Sequence, residues 1–414
     1  MPLSNRQSPA DGTACDSLAV QFAQTRALHE ALVAPLSDAD ATIQSMEDAS
    51  PAKWHLAHTT WFWETFLLRE HAEGYRLHDE RWPFLFNSYY EAEGERIARF
   101  SRGLLSRPRL DEVLAWRAVV DAAMAPLFER EDLADLIALG IAHEQQHIEL
   151  LLTDIKHAFA QNPLGVAMWD SAPAGAITAG EPDWHQHPGG VAMIGYEGAG
   201  FAFDNEGPRH RVLLEPFALA DRLVTNREWD AFIADGGYKT PSLWLSDGLA
   251  WVRSNGIAAP LYWRDNAHFT HTGWQARDLD APVTHISYYE ADAFATWAGA
   301  RLPTEFEWEA IAQTHDASAG NQLDAAAPPL PRGGSDLFGD CWQFTRSAYL
   351  PYPRFQIAEG AVGEYNGKFM SGQFVLKGAS CATVRGHSRA SYRNFFYPHQ
   401  RWQFTGLRLA KDIT

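Results

Sequence analysis

Apolar residues recur at helical spacing in four long segments near the start of the chain. These segments are 17–36, 50–71, 107–131 and 131–161. Ser50 is the predicted N-cap of the second helix, with Pro51 at its first position, and Gly140 interrupts the fourth. Four amphipathic helices of this length predict a four-helix bundle with one long connection through 71–107.

After Asn162 the pattern changes to short segments separated by Gly, Pro, Asn and Asp. Only two helices are evident beyond that point, in 225–237 and 287–313, so this half predicts a loop-rich α+β domain. The predicted organisation is a helical bundle, a linker and an α+β domain, over residues 15–162, 163–189 and 190–414 respectively.

Length and composition agree with two domains and limit the expected partners and cellular compartment. The chain has 414 residues and a net charge of −18, which disfavours nucleic acid and anionic membranes as partners. No apolar run approaches the roughly 20 residues of a membrane-spanning helix, and the first residues lack a signal-peptide pattern. Three cysteines without a C-x-x-C pair favour a reducing compartment. We therefore expect a cytoplasmic protein.

The fourth predicted helix carries His143 and His147. Residues four apart lie on the same helical face, here among leucines that point into the bundle. Buried imidazoles are costly unless they bind something, and one metal ion can engage both. The second helix offers His55 or His58 as a third ligand. His58 lies on an inward aromatic stripe and is favoured by periodicity, with His55 open as the alternative.

Residues 143–147 also match H-E-x-x-H, the zinc-protease pattern in which the glutamate is the general base. The following residues, IELLLT, lack the metzincin extension, and Glu149 is no substitute for the distant third ligand of thermolysin-like enzymes. The helix is moreover predicted to lie inside the bundle. The missing third ligand and the interior position of the helix therefore argue against a protease.

Stretches of both halves resemble one family. DASPAKWHLAHTTWFWETF, NSYYEAEG, RGLLSRP and HEQQHIELLLTDIKHAF resemble the DinB-type domain of the sulfoxide synthases of ergothioneine biosynthesis (EgtB-like). FAFDNEGPRHRV, PVTHISYYEADAFATWAGARLPTEFEWE and SYRNFFYPHQRWQFTGLRLAKD resemble its formylglycine-generating-enzyme-like domain. The resemblance implies a DinB-like four-helix bundle followed by a loop-rich, C-type-lectin-like domain, that is, α plus α+β.

The resemblance implies one iron(II) ion, Fe(II), bound by His58, His143 and His147. Three neutral imidazoles suit this metal and leave a face of its coordination sphere open. In the family, that face takes O2, a thiolate and the imidazole of hercynine, which is trimethylated histidine. The reaction joins sulfur to the imidazole C2 carbon and oxidises it to a sulfoxide. Glu144 is then expected on the helix flank, without a catalytic role.

The resemblance also implies roles for two tyrosines and an amide. Tyr89 and Tyr90 correspond to catalytic tyrosines of one family branch, where a phenol can donate a hydrogen bond and be oxidised. Gln146 corresponds to the residue that hydrogen-bonds the hercynine imidazole.

Two further groups correspond to substrate-binding segments. Arg99 and Arg102 match arginines that clamp the carboxylates of the thiol donor, for which a guanidinium fork is suited. Asn394, Phe395 and Phe396 match the segment that binds hercynine, and the two rings suit a trimethylammonium group. The chain reads RNFF where an actinobacterial branch has RNWD, and ERIA where an H-x-R run is expected.

Other functions stay open beside the sulfoxide synthase. The related selenoneine synthases (SenA) keep the two domains and the iron site, and attach selenium from a selenosugar to hercynine. A DinB-type zinc hydrolase or thiol-transferase is the alternative of another class, and a binding protein with structural histidines is a third. Cys341 and Cys381 are expected to be buried structural residues rather than the redox pair of a formylglycine-generating enzyme.

Overall fold

The structure is a computed structural model that describes residues 17–171, 175–357 and 366–413. Cys15 and the predicted start of the bundle at residue 15 lie outside these ranges. The helices of the first half are α1 (Leu18–Val33), α2 (Asp38–Thr42), α3 (Ala52–Phe62), α4 (Arg69–His71), α5 (Trp82–Phe86), α6 (Leu110–Met124) and α7 (Ala134–Gln161). A π-helical turn, Trp63–Leu68, joins α3 to α4.

Four of these helices form the bundle and confirm the predicted fold of this half. Helix α3, continued by the π-helical turn, packs against α1, α6 and α7. The shared core is rich in large rings, with Trp61, Trp63 and Trp116 all at most 1% exposed. The connection between α4 and α6 carries α5 and 3-10 turns at Glu91–Glu93 and Arg99–Leu104.

Two local predictions for the bundle are wrong. The N-cap of α3 is Pro51 rather than Ser50, because the Ser50 N–H donates to Asp154 (2.7 Å) and its hydroxyl accepts from Arg102 (2.9 Å). Helix α7 runs through Gly140 without interruption. A Cβ at this position would lie 2.5 Å from the Trp63 ring, so the glycine permits close helix packing.

The first strand begins at Trp184, inside the segment 163–189 predicted as a linker, and strands and helices together build the core of the second domain. Within the described residues the strands are β1 (Trp184–His187), β2 (Gly190–Ile194), β3 (His210–Leu214), β4 (Phe217–Ala220), β5 (Trp263–Arg264), β6 (Ala267–Thr270), β7 (Gly273–Ala276), β8 (Trp342–Ala348), β9 (Phe374–Lys377), β10 (Asn394–Phe396), β11 (Thr405–Gly406) and β12 (Ala410–Asp412). They pair in the orders β1-β4-β12, β10-β9-β8-β11, β2-β3 and β5-β6-β7. Mixed short strands with few helices confirm the predicted α+β class.

The helices of this domain differ from the prediction. They are α8 (Asn226–Ala234), α9 (Ser246–Asn255), α10 (Tyr288–Trp297) and α11 (Glu305–Ala312). The predicted helix 287–313 is two helices, because Gly299 adopts φ +66° and Thr304 starts a new helix with a capping box to Glu307. Helix α9 was missed because its N-cap, Leu245, offers no side-chain cap.

The second domain packs against α7 beside α3, and Asp154 of α7 contacts both of them. Asp154 accepts from the indole N–H of Trp402 (2.9 Å), and His271 donates to the Leu152 carbonyl (2.8 Å). Cys341 and Cys381 are buried free cysteines of this domain, as predicted. The long helix α7 therefore belongs to both the bundle core and the domain interface, and it carries residues 143–149 between them.

Candidate metal centre and substrate cavity

Three histidines from two helices converge at the centre of the bundle. One ring nitrogen of each of His58, His143 and His147 lies within 4.8 Å of those of the other two. His58 and His143 are buried, at 2% and 8% exposure, and His147 is partly exposed. The structure thus brings together the three residues that the sequence and the resemblance selected.

Hydrogen bonds orient two of these rings. His58 donates from Nδ1 to the Phe86 carbonyl (2.6 Å), which leaves its Nε2 lone pair free. His55 donates from Nε2 to Asp154 (3.1 Å), so its Nδ1 accepts from His147 Nδ1–H (2.9 Å). His147 then also presents Nε2. His55, the alternative third ligand, instead holds His147 in place.

The protonation of the three rings suits a metal. Burial lowers the pKa of His58 and His147 well below the usual range and that of His143 to about 4, so all are neutral at pH 7. Nδ1 of His143 is a buried ring nitrogen without a hydrogen-bond partner in the described residues. Three neutral imidazoles beside open space fit a first-row divalent ion with free coordination positions.

Two cavities meet at Gln146 beside the histidines. The wide cavity, of about 520 Å³, is lined by His143, Tyr90, Gln146 and a phenylalanine cluster at residues 62, 201 and 203. The narrow cavity, of about 90 Å³, lies between α7 and the second domain, with Gln146 and Glu149 on its bundle side. Gln146, Phe203 and Asn366 line both cavities and form the boundary between them.

The two predicted catalytic tyrosines occupy different surroundings. Tyr90 is 5% exposed, packs its ring against Trp61 and Phe66, and lines the wide cavity with His143. Tyr89 lies against Phe369, and its hydroxyl accepts from Arg99 (2.8 Å). Tyr90 is therefore the tyrosine that the fold places in the wide cavity beside the histidines.

The two predicted donor-binding arginines bond to the protein itself. Arg102 donates to Ser50 (2.9 Å) and Ser88 (3.0 Å), and its guanidinium lies 3.4 Å above the Trp54 ring. Burial lowers the pKa of Arg102 to about 9. Among the described residues that line the wide and narrow cavities, neither Arg99 nor Arg102 is present.

The predicted hercynine-binding segment does line a cavity. Asn394, Phe395 and Phe396 form β10 and border the narrow cavity. Phe395 stacks on Tyr349 with ring centroids 4.2 Å apart, which fixes its plane. Aromatic faces thus reach this cavity from the second domain.

Glu149 faces the narrow cavity opposite these rings, and sequence reasoning missed it. Its carboxylate accepts from Trp342 (2.7 Å), Ser380 (2.5 Å) and Thr383 (2.7 Å). Withdrawal from water raises its pKa, while these hydrogen bonds act in the opposite direction. Because its donors come from about 200 residues away in the chain, local spacing carried no signal for this role.

Glu144 does not lie on the helix flank, and that expectation is wrong. Its side chain is fully buried and accepts from Arg26 (3.0 Å), Trp63 (2.9 Å) and Arg117 (2.5 Å), with His29 Nδ1 at 3.0 Å. Burial raises the pKa of Glu144, but the two guanidinium groups outweigh it and hold the pKa well below its usual range. This glutamate is a structural anion of the bundle core.

Family models match both halves and define the class. The DinB superfamily model matches residues 21–151, and the sulfatase-modifying factor enzyme 1-like domain matches residues 179–328. Hercynine oxygenase of Mycobacterium tuberculosis is 33% identical over 97% of this chain and 100% of that protein. Hercynine oxygenase of Mycolicibacterium thermoresistibile is 33% identical over 88% of each chain.

Ergothioneine biosynthesis protein 1 of Schizosaccharomyces pombe is a more distant relative, 27% identical over 51% of this chain and 28% of its own length. The chain belongs to the hercynine oxygenase, or EgtB-like, family, and it is an enzyme of the oxidoreductase class. Across the described residues, no helix is long and apolar enough to cross a membrane.

Proposed function

We propose that this protein is an iron(II)- and O2-dependent enzyme that forms a carbon–chalcogen bond at the imidazole C2 of hercynine. With a thiol donor the product is a sulfoxide of ergothioneine biosynthesis. The observation that carries the proposal is the triad of neutral histidines, His58, His143 and His147, of which His143 lines the wide cavity, in a chain of this family. Bound iron(II) would supply O2 activation and the one-electron steps of bond formation.

The narrow cavity suits the trimethylammonium end of hercynine. The cation would face the Glu149 carboxylate, whose three described partners are all neutral, and the rings of Phe395 and Phe396. A cation beside aromatic faces and a carboxylate is stabilised in both ways. Gln146, at the boundary between the cavities, would then lie beside the imidazole.

Tyr90 is the proposed hydrogen donor of the reaction. Its phenol ring shares the wide cavity with His143, so the donor and the reacting atoms would lie in one space. Tyr89 and Arg99 instead hold each other, and their catalytic and donor-binding roles stay predictions.

A second candidate, the selenoneine synthase, is favoured by the charge of the wide cavity. Asp135 and Asp204 line it, and among its described lining residues there is no lysine or arginine. An anionic donor such as γ-glutamylcysteine, with two carboxylates and one ammonium group, would meet like charge there. An uncharged sugar would meet carboxylate and amide acceptors, including the Asp204–Asn366 pair (2.6 Å), and phenylalanine faces.

A donor screen tests the proposal and separates the candidates. Iron(II)-loaded protein is given hercynine and O2 with cysteine, γ-glutamylcysteine or a selenosugar in parallel, and the products are identified by mass spectrometry. We expect one donor to give a C2-linked product, about one iron per chain, and loss of both in His143→Ala. Tight zinc binding without O2 consumption in the presence of hercynine would contradict the proposal and support a zinc hydrolase.

Asp204→Asn distinguishes the donors by the sign of its effect. Removing this negative charge lowers the KM of an anionic thiol, whereas it raises the KM of a sugar that bonds to the carboxylate. The hercynine KM serves as the internal control, and Arg99→Ala is the parallel variant, which raises the KM of an amino-acid thiol only if the arginine clamps it. An unchanged donor KM in both variants would place the donor elsewhere.

A further inference from the structure

A chain of hydrogen bonds links α7 to the second domain at the boundary of the two cavities. Nδ1 of His387 lies 3.0 Å from Oε1 of Gln145, and Nε2 of His387 lies 3.3 Å from the Tyr392 hydroxyl. The same hydroxyl lies 2.9 Å from Nε2 of Gln146. His387 and Tyr392 are 4% and 5% exposed, so these hydrogen bonds are sheltered from water.

The donors and acceptors in this series of hydrogen bonds can be assigned one after another, starting from Gln145. Oε1 of Gln145 only accepts, so His387 donates to it from Nδ1. Burial lowers the pKa of His387 to about 3, so the ring is neutral and its Nε2 is an acceptor. Tyr392 then donates its hydroxyl hydrogen to His387, and its oxygen accepts from Gln146 Nε2.

This order determines which end of the Gln146 amide is left for a ligand. One hydrogen of the amide nitrogen bonds to Tyr392, which turns Nε2 toward the second domain and leaves the carbonyl oxygen Oε1 on the other side of the amide. Gln146 lines both cavities, so a ligand at their boundary can bond to this Oε1 acceptor. An imidazole ring that binds there must present an N–H.

We propose that Tyr392 and His387 are positioning residues that hold the Gln146 amide with its oxygen toward the substrate. The site thereby selects the hercynine tautomer with N–H on the nitrogen facing Gln146 and leaves the lone pair on the other ring nitrogen free. This inference rests on the proposed function, because it takes hercynine as the ligand. Two residues of the second domain thereby orient an amide of the bundle.

The test compares hercynine with two analogues, each methylated on one ring nitrogen, by calorimetric titration of metal-free and iron(II)-loaded protein. Wild type is expected to reject the analogue that lacks the N–H facing Gln146. Tyr392→Phe is expected to weaken hercynine binding about 3–10-fold, which is the range for one hydrogen bond. The affinity for the analogue without that N–H is expected to stay as low as in the wild type. Tyr352→Phe is the matched control, because its buried hydroxyl donates to Glu305 (3.0 Å) in the same domain.

A double-mutant cycle adds a second criterion. If Tyr392 acts through Gln146, the effects of Tyr392→Phe and Gln146→Ala on hercynine affinity do not add. Additive effects, or equal weakening of hercynine and both analogues by Tyr392→Phe, would overturn the positioning role.

Amide orientation is also measured without any ligand. The Gln146 side-chain amide resonance in a ¹⁵N–¹H spectrum is expected to shift in Tyr392→Phe and in His387→Phe, and to stay in place in Tyr352→Phe. An unmoved resonance would refute the inference even if hercynine binds. If wild type binds no hercynine while the resonance shifts as expected, the proposed function fails and the positioning of the amide stands.

Discussion

Replacement of Glu144 by glutamine tests whether this residue is a structural anion or a catalytic base. The change keeps the shape of the side chain and removes its charge, at a position with no exposure to solvent. Arg117, itself 1% exposed, then loses the carboxylate 2.5 Å from its guanidinium, whereas Arg26 keeps Asp121 at 2.6 Å. Breaking a buried pair by removing one partner costs about 3–5 kcal/mol.

That loss is large beside the roughly 5–15 kcal/mol by which domains are stable. For a urea m-value of about 2 kcal/mol/M, the unfolding midpoint of Glu144→Gln falls by about 2 M. The assay is urea unfolding followed by tryptophan fluorescence, since Trp63 donates to this carboxylate. Glu30→Gln, at an exposed position of α1, is the control. A Glu144→Gln protein as stable as wild type but inactive would refute the structural role and indicate a general base.

Three further changes test the interface, the packing and the metal site. Burial lowers the pKa of Lys156 from 10.5 to about 7, so between these values the unfolded chain binds the extra proton and the free energy of unfolding rises with pH. Lys156→Met removes this rise in urea titrations from pH 6 to 10, and an unchanged slope would refute the assignment. Gly140→Ala places a Cβ 2.5 Å from the Trp63 ring and lowers the free energy of unfolding by about 1–3 kcal/mol, whereas equal or higher stability would show that the ring can move. His55→Phe keeps a planar ring but removes the acceptor of His147 Nδ1–H, and it weakens metal binding about 10–100-fold in chelator competition; unchanged affinity would contradict the supporting role of His55.

Local periodicity was sufficient to predict which residues share one face of a helix. His143 and His147 share a face because 3.6 residues make a turn, and that fact holds in any fold that keeps α7 helical. The four helices of the bundle were predicted for the same reason. The helix over 287–313 was predicted poorly because its break depends on the φ of Gly299 and the cap at Thr304, which an apolar pattern does not register.

The choice between His55 and His58 depended on how α3 is rotated against α7. Both histidines face the interior at 2% exposure, and only packing directs His58 to the triad and His55 to Asp154. The surroundings of Glu144 were unpredictable for the same reason. Its place on the helix follows from the sequence, but the two arginines around it come from other helices.

Local sequence patterns were enough to predict the helical half, the histidine pair on one face of α7 and the family. The hydrogen-bond partners of the residues next to the histidines, by contrast, depend on tertiary structure. Gln146 meets Tyr392 across 246 residues, and Glu149 meets Trp342 across 193. No spacing rule reaches that far, because these contacts exist only once the second domain has packed against α7.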